Sequence, residues 1–207
     1  MVTSLDEDEG KQQVDERQFR ITSQGGVSFL RVDVASEQSS ILQNLAKTEK
    51  EFDVKAKERN EFIPLYIDMT LPYPHADVES VITYLNHHFQ RPANHIEQPL
   101  DFNEVNAFAS SWDAEFLLES TPLLDAAKAD KKKLTPDRQK RLVNLLLLGS
   151  FLDVDPLVQL VSAYVASLAV DKTPEQIRKV FAIKSDFTAS EEQYAREQTK
   201  WATLFTE

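Results

Sequence analysis

The sequence predicts a protein of the α+β class in which a small sheet with its helices comes first and a helical region follows. Three observations carry this reading. Phe19 and Ile21, then Leu30, Val32 and Val34, alternate with polar residues on either side of Ser23-Gln24-Gly25-Gly26, the pattern of two half-buried strands joined by a tight turn. Leu157, Leu160, Val161, Tyr164, Val165 and Leu168 recur at i, i+3, i+4, i+7, i+8 and i+11, which lays them along one side of a helix turning every ~3.6 residues. Helix-start signals then crowd the last third of the chain, at Asp155-Pro156, Thr173-Pro174-Glu175-Gln176 and Thr188-Ala189-Ser190-Glu191.

Taken in order, residues 1–16 carry Asp6, Glu7, Asp8, Glu9, Asp15 and Glu16 with little apolar content and read as an acidic disordered tail. The glycine pair Gly25-Gly26 is expected to supply the positive φ of the hairpin turn. Ser36 or Ser39 can open a helix with Ile41, Leu42 and Leu45 on its buried side, whereas the charged run from Lys47 to Glu61 reads as a solvated loop. Phe62, Ile63, Leu65 and Ile67 read as a short strand, and Pro64 marks it as an edge. Pro72 and Pro74 punctuate the chain before Asp77, which is placed to cap a helix bearing Val78, Val81, Ile82 and Leu85. A polar connection from Arg91 to Ala109 leads to a helix from Trp112 to Leu118.

Leu123 to Arg141 holds Lys128, Lys131, Lys132, Lys133, Arg138, Lys140 and Arg141 in an otherwise acidic chain. It reads as a solvated basic insertion whose Thr135-Pro136 starts the next apolar helix early; an acidic partner, or contact with the acidic tail, is the alternative. In the two last helices, Ile177, Val180 and Phe181 follow the first capping box and Tyr194, Ala195, Trp201 and Phe205 the second, with Ile183 and Phe187 between them. Core packing accounts for any one of these side chains. A partner-binding surface accounts for the stripe, because short helices ending in Phe and Trp need something to cover them.

The 207 residues suit one domain with an extension, and 42% hydrophobic with 28% charged residues is ordinary globular usage. A net charge of −11 argues against general nucleic-acid or anionic-membrane binding. With no cysteine there is no disulfide, thiolate metal site or cysteine nucleophile, and the absence of an apolar leader or a long apolar run makes a cytoplasmic and nuclear location the expectation. Four glycines cannot build a phosphate-cradling loop or a dinucleotide fingerprint, and no nucleophile elbow or paired-histidine metal motif is present. His87, His88 and His95 lie close in sequence, but adjacent helical histidines project apart, and histidines at a helix end facing the negative end of the dipole are the simpler reading. Asp113 and Glu115, at i and i+2, do not face each other and read as surface or capping groups. Neither a catalytic residue nor a cofactor or metal site is expected.

Ser111-Trp112-Asp113-Ala114-Glu115-Phe116-Leu117, Phe151-Leu152-Asp153-Val154, and the run from Lys172-Thr173-Pro174-Glu175-Gln176-Ile177 through Phe181-Ala182-Ile183-Lys184-Ser185-Asp186-Phe187-Thr188, with Arg196 and Trp201, occur in the order of the Skp adaptor family of Skp–cullin–F-box ubiquitin ligases. The resemblance extends from Phe19 to Trp201, dense after Trp112 and thinner before it, where Val81 to His88 with Pro92 is similar to the family's N-terminal helix. Hairpin, helix, strand, helix likewise resembles the start of a BTB/POZ fold. The resemblance implies a BTB/POZ domain over 17–153, carrying the basic insertion near 123–141, and C-terminal F-box-binding helices over 154–207. It implies a non-catalytic adaptor whose F-box-binding positions are Pro174, Ile177, Val180, Phe181, Ile183, Phe187 and Trp201, and whose cullin-facing positions are Ser150, Phe151 and Asp153. The family usually carries Asn then Tyr where Ser150 and Phe151 stand, so weaker cullin binding is expected. The rival reading is a structural or assembly protein that keeps an F-box-like partner and has given up the cullin. The C-terminal helices are expected to order only when a partner covers them.

Overall fold

The computed structural model describes residues 17–59, 64–97, 105–119 and 135–184, with 187, 188, 190, 191, 193 and 194 beyond them. Three strands, β1 (Gln18–Gln24), β2 (Gly26–Arg31) and β3 (Tyr66–Pro74), form a sheet in the order β2-β1-β3, with β1 antiparallel to β2 and parallel to β3. The helices are α1 (Val32–Gln38), α2 (Ser40–Glu58), α3 (His75–His88), α4 (Ser111–Glu119), α5 (Pro136–Phe151), α6 (Asp155–Ser167) and α7 (Pro174–Val180). This is the expected α+β architecture. Phe19, Ile21, Leu30, Ile67 and Leu71 turn inward from the sheet and meet Leu42, Val78, Leu85, Leu145, Leu148 and Leu157 in one continuous core. The period-two alternation of the strands thus meets the i, i+3, i+4 stripes of α3, α5 and α6, the arrangement that removes the apolar faces of both kinds of element from water.

The hairpin turns as expected, yet its two glycines do different jobs. Only Gly25 has a positive φ, +97°. At Gly26 a Cβ would lie 2.7 Å from the His75 ring, so that residue is small because a side chain packs against its backbone. The alternation through Val32 and Val34 is not a strand: both residues are buried from α1, which begins where β2 ends.

The run after Lys47, read as a loop, is helical to Glu58. Ser39 caps α2 by accepting a bond from the Leu42 amide, Leu42 and Ala46 anchor its first turns, Arg17 pairs with Asp53, and Lys55 and Lys57 lie at the end where cations complement the dipole. Its outer residues Phe52 and Val54 are exposed, which is why no apolar stripe announces the second half. Ile41 is likewise exposed rather than buried. The third strand begins at Tyr66, so Leu65 precedes it, while Phe62 and Ile63 lie outside the described residues; the strand runs through Pro72 and Pro74, and as an edge strand it tolerates residues that cannot donate to a ladder. Asp77 does not cap α3, whose N-cap is Pro74; it is buried in the first turn and accepts bonds from Arg141 Nε (3.0 Å) and Asn144 Nδ2 (2.6 Å).

Thr135 caps α5 through the Arg138 amide, as the sequence implies. Arg138 and Arg141 are not solvated cations of an insertion, however. Arg138 is buried and donates to the Tyr164 hydroxyl on α6, while Arg141 pairs with Asp77 on α3. Residues 120–134, including Lys128, Lys131, Lys132 and Lys133, lie outside the described residues, as does the acidic tail 1–16.

Candidate partner-binding surfaces

The first surface is built on α7. Thr173 Oγ1 accepts from the Gln176 amide (3.3 Å) and Gln176 Oε1 from the Thr173 amide (2.9 Å), the reciprocal cap expected from the sequence, with Pro174 in the first turn. The helix stops at Ala182, which sits at φ +51°, while the Ile183 amide reaches back to the Arg178 carbonyl at 2.9 Å. Gln139 Nε2 of α5 holds the Phe181 carbonyl at 2.8 Å. Seven residues of helix are therefore pinned at both ends despite burying no side chain completely. Ile177 and Val180 are half-buried, Phe181 is half-buried and packs against the core, and Pro174 is exposed. Beyond the helix, Ile183 and Phe187 are 55% and 53% exposed. At the second box, Glu191 accepts from both the amide and the hydroxyl of Thr188, and these bonds hold its carboxyl below the usual range. Trp201 lies outside the described residues, and so does the test of whether the last helix orders on its own.

The second surface is the C-terminal end of α5. Phe151 is 54% exposed and Ser150 is exposed beside it. Asp153 follows at φ +55°, a conformation that Asp tolerates better than most side chains, and its Oδ2 accepts from Ser40 Oγ. That carboxylate is thus tied to the start of α2. Sequence reasoning missed two further members: Val143 and Leu147, 53% and 48% exposed, stand two turns and one turn before Phe151. The i, i+4, i+8 spacing of Val143, Leu147 and Phe151 was the available signal, hidden because Leu142, Leu145 and Leu148 fill the same helix with core residues.

Glu115 is exposed, as expected, whereas Asp113 is buried in the first turn of α4, where Ser110 Oγ accepts from its amide at 3.1 Å, so it serves the helix start and not the surface. His88 is buried, with Nδ1 3.1 Å from the Arg91 carbonyl and Nε2 3.0 Å from Asp113 Oδ1. Burial pushes the Asp113 carboxyl up, but bonds from His88 and from Ser110 Oγ, 2.7 Å away, outweigh it and leave the group below its ordinary range. His87 stacks on Trp112 with ring centroids 3.6 Å apart. Among the described residues no group of three or more His, Asp or Glu is placed to hold a metal ion, and no helix is long and apolar enough to cross a membrane.

Comparison with known proteins gives this arrangement a lineage. Residues 155–202 match the Skp1 family, dimerisation domain, a segment that takes in α6, α7 and the second capping box. Over 137 residues the chain is 31% identical to the SCF ubiquitin ligase complex protein SKP1a of Dictyostelium discoideum, covering 65% of this chain and 73% of that protein. The chain belongs to the Skp1 family. It is 30% identical over 139 residues to SKP1-like protein 1A of Arabidopsis thaliana, covering 66% of this chain and 76% of the relative. It is 29% identical over 160 residues to the S-phase kinase-associated protein 1 homolog of Tetrahymena thermophila, covering 73% and 86%. In this Skp1-family chain the family match and the first surface coincide in sequence, whereas the second surface, ending at Asp153, lies just before the matched segment.

Proposed function

We propose that this Skp1-family protein is a non-catalytic adaptor that links F-box substrate receptors to a cullin scaffold in a ubiquitin ligase complex, in the cytoplasm and nucleus. The observation that carries the reading is the exposure of Ile183 and Phe187 directly after a helix capped at both ends, inside the segment that matches the family. Large apolar side chains on a pinned scaffold favour a partner that buries them, since each is worth ~1.5–3 kcal/mol when fully covered. The names of the relatives support the complex. Pro174, Ile177, Val180, Phe181, Ile183, Phe187 and Trp201 form the F-box-facing set. Ser150, Phe151 and Asp153, extended by Val143 and Leu147, form the cullin-facing set.

A second reading, an assembly protein without the cullin, is favoured by one observation: Asp153, a position the cullin reading relies on, already has an oxygen engaged by Ser40, while Ser150 and Phe151 replace the polar pair usual in the family. Titration calorimetry against the cullin of the same organism and against an F-box domain separates the two. Binding of both, with Phe187→Ala weakening only the F-box arm and Leu147→Asp only the cullin arm, supports the adaptor. F-box binding without cullin binding, unchanged in Ser150→Asn with Phe151→Tyr, supports the second reading. Binding to neither overturns both.

A further inference from the structure

The second half of α2 has little to hold it. The buried side chains of this helix, Leu42 and Ala46, lie in its first half, and from Lys47 onward none is fully buried. Lys47, Lys50, Val54 and Lys57 recur there at i, i+3, i+7 and i+10, which gathers them on one side of the helix within roughly a quarter of its circumference. All four are exposed, and none of the three lysines has a carboxylate partner among the described residues. Asp53, three residues after Lys50 and four before Lys57, borders this stripe and pairs with Arg17. Arg17 is the first described residue, and its carbonyl accepts from the Val32 amide at 3.3 Å. The point at which residues 1–16 join the structure is therefore fixed twice, and it is fixed beside the lysines.

We propose that residues 1–16 dock along this stripe, Asp15 and Glu16 at Lys50 and Lys57 and the run Asp6 to Glu9 toward Lys47, and so brace the half of α2 that the core does not. Charge is one argument: the segment holds six carboxylates against the single Lys11. Position is the second, since Asp15 and Glu16 lie within about 8 Å of Arg17 along the chain. Reach is no obstacle, because Lys47 to Lys57 rises only about 15 Å along the helix, and residues 6–16 can span about 35 Å when extended. Other described cations are already engaged: Arg20 and Arg31 pair with Asp68 and Asp33, Arg141 with Asp77, and Arg138 donates to Tyr164. A separate acidic partner would have to displace a tethered segment whose effective concentration is in the millimolar range.

The test uses the full chain, which has no cysteine, so Ser4→Cys takes a single nitroxide spin label. Nitrogen-15 NMR then reads how strongly the label broadens each amide. At low salt the broadening is expected to be strongest at Lys47, Lys50, Val54 and Lys57, and to fall at least about threefold at about 0.5 M salt, where the charges are screened. Two variants should produce the same fall: Lys47→Gln with Lys50→Gln and Lys57→Gln, and Asp6→Asn with Glu7→Gln, Asp8→Asn and Glu9→Gln. The second changes nothing in the helix and decides the matter alone if the first loosens α2. In a third variant, Asp15→Asn with Glu16→Gln, hydrogen exchange at the amides of residues 50–58 should speed up by about threefold or more, as a lost brace requires. Broadening that ignores both salt and the first two variants would reflect the tether alone and overturn the proposal. So would broadening strongest at residues 135–141, next to the other lysine-rich run, or broadening passed from labelled to unlabelled chains in a mixture. Unchanged exchange in the third variant would overturn the bracing.

Discussion

At the level of single residues, the hydroxyl of Ser39 accepts from the Leu42 amide and donates to the Leu152 carbonyl, joining the first turn of α2 to the end of α5 at a fully buried point. Ser39→Ala removes a cap and leaves a buried carbonyl unsatisfied, so urea unfolding is expected to show a loss of about 2 kcal/mol. Ser40→Ala, one residue on and exposed, should cost under about 0.5 kcal/mol. Asp113 sets the behaviour in acid. Its carboxyl is lowered in the folded state, so its contribution is fully present above the ordinary carboxylate value and is lost as pH falls through the lower, folded value. Thermal melts from pH 6 down to about pH 2 should therefore fall less steeply for Asp113→Asn than for the parent, the parent starting higher at pH 6. The cap at Ser39 was legible in the chain, as a Ser before an apolar run; the Leu152 carbonyl and the His88 ring that complete these two residues come from distant segments and were not.

At the level of elements, α7 is the part that the sequence described best, because both of its stops are local chemistry. The Thr173 box needs only residues three apart, and the left-handed Ala182 closes the helix against its own Arg178 carbonyl. Tertiary contact is what the pattern left out. Phe181, whose carbonyl is held by Gln139, packs against the core, whereas Ile183 and Phe187 do not. Phe181→Ala is thus expected to lower stability by about 1–2 kcal/mol and weaken partner binding together, while Phe187→Ala should leave stability within about 0.5 kcal/mol and cost the partner about 2 kcal/mol. Paired denaturation and binding measurements on the two variants check this; equal stability losses would place both side chains in the core. The second half of α2 shows the opposite failure. Its charged residues looked like a loop because a helix that buries only Leu42 and Ala46 needs no stripe beyond them, and helix-forming side chains with end charges carry the rest.

At the level of the whole molecule, α5 is packed against α3 and α6 and reaches toward both surfaces. Gly149 lets α6 approach: a Cβ there would meet Val158 Cγ2 at 3.2 Å and Leu157 Cδ2 at 3.4 Å. Gly149→Val should overpack this contact and lower stability by about 1–3 kcal/mol, and Gly149→Ala by less, a ranking that calorimetry can check. A helix of 16 residues is about 24 Å long. Its first turns hold the Phe181 carbonyl through Gln139 and α6 through Arg138, and its last carries Phe151, with Arg141 and Asn144 gripping α3 between them. A body seated on one end and a body seated on the other would be kept at a set spacing by a rod that cannot bend without breaking its buried polar grips, so any swing that brings their distant parts together has to come from joints within those bodies.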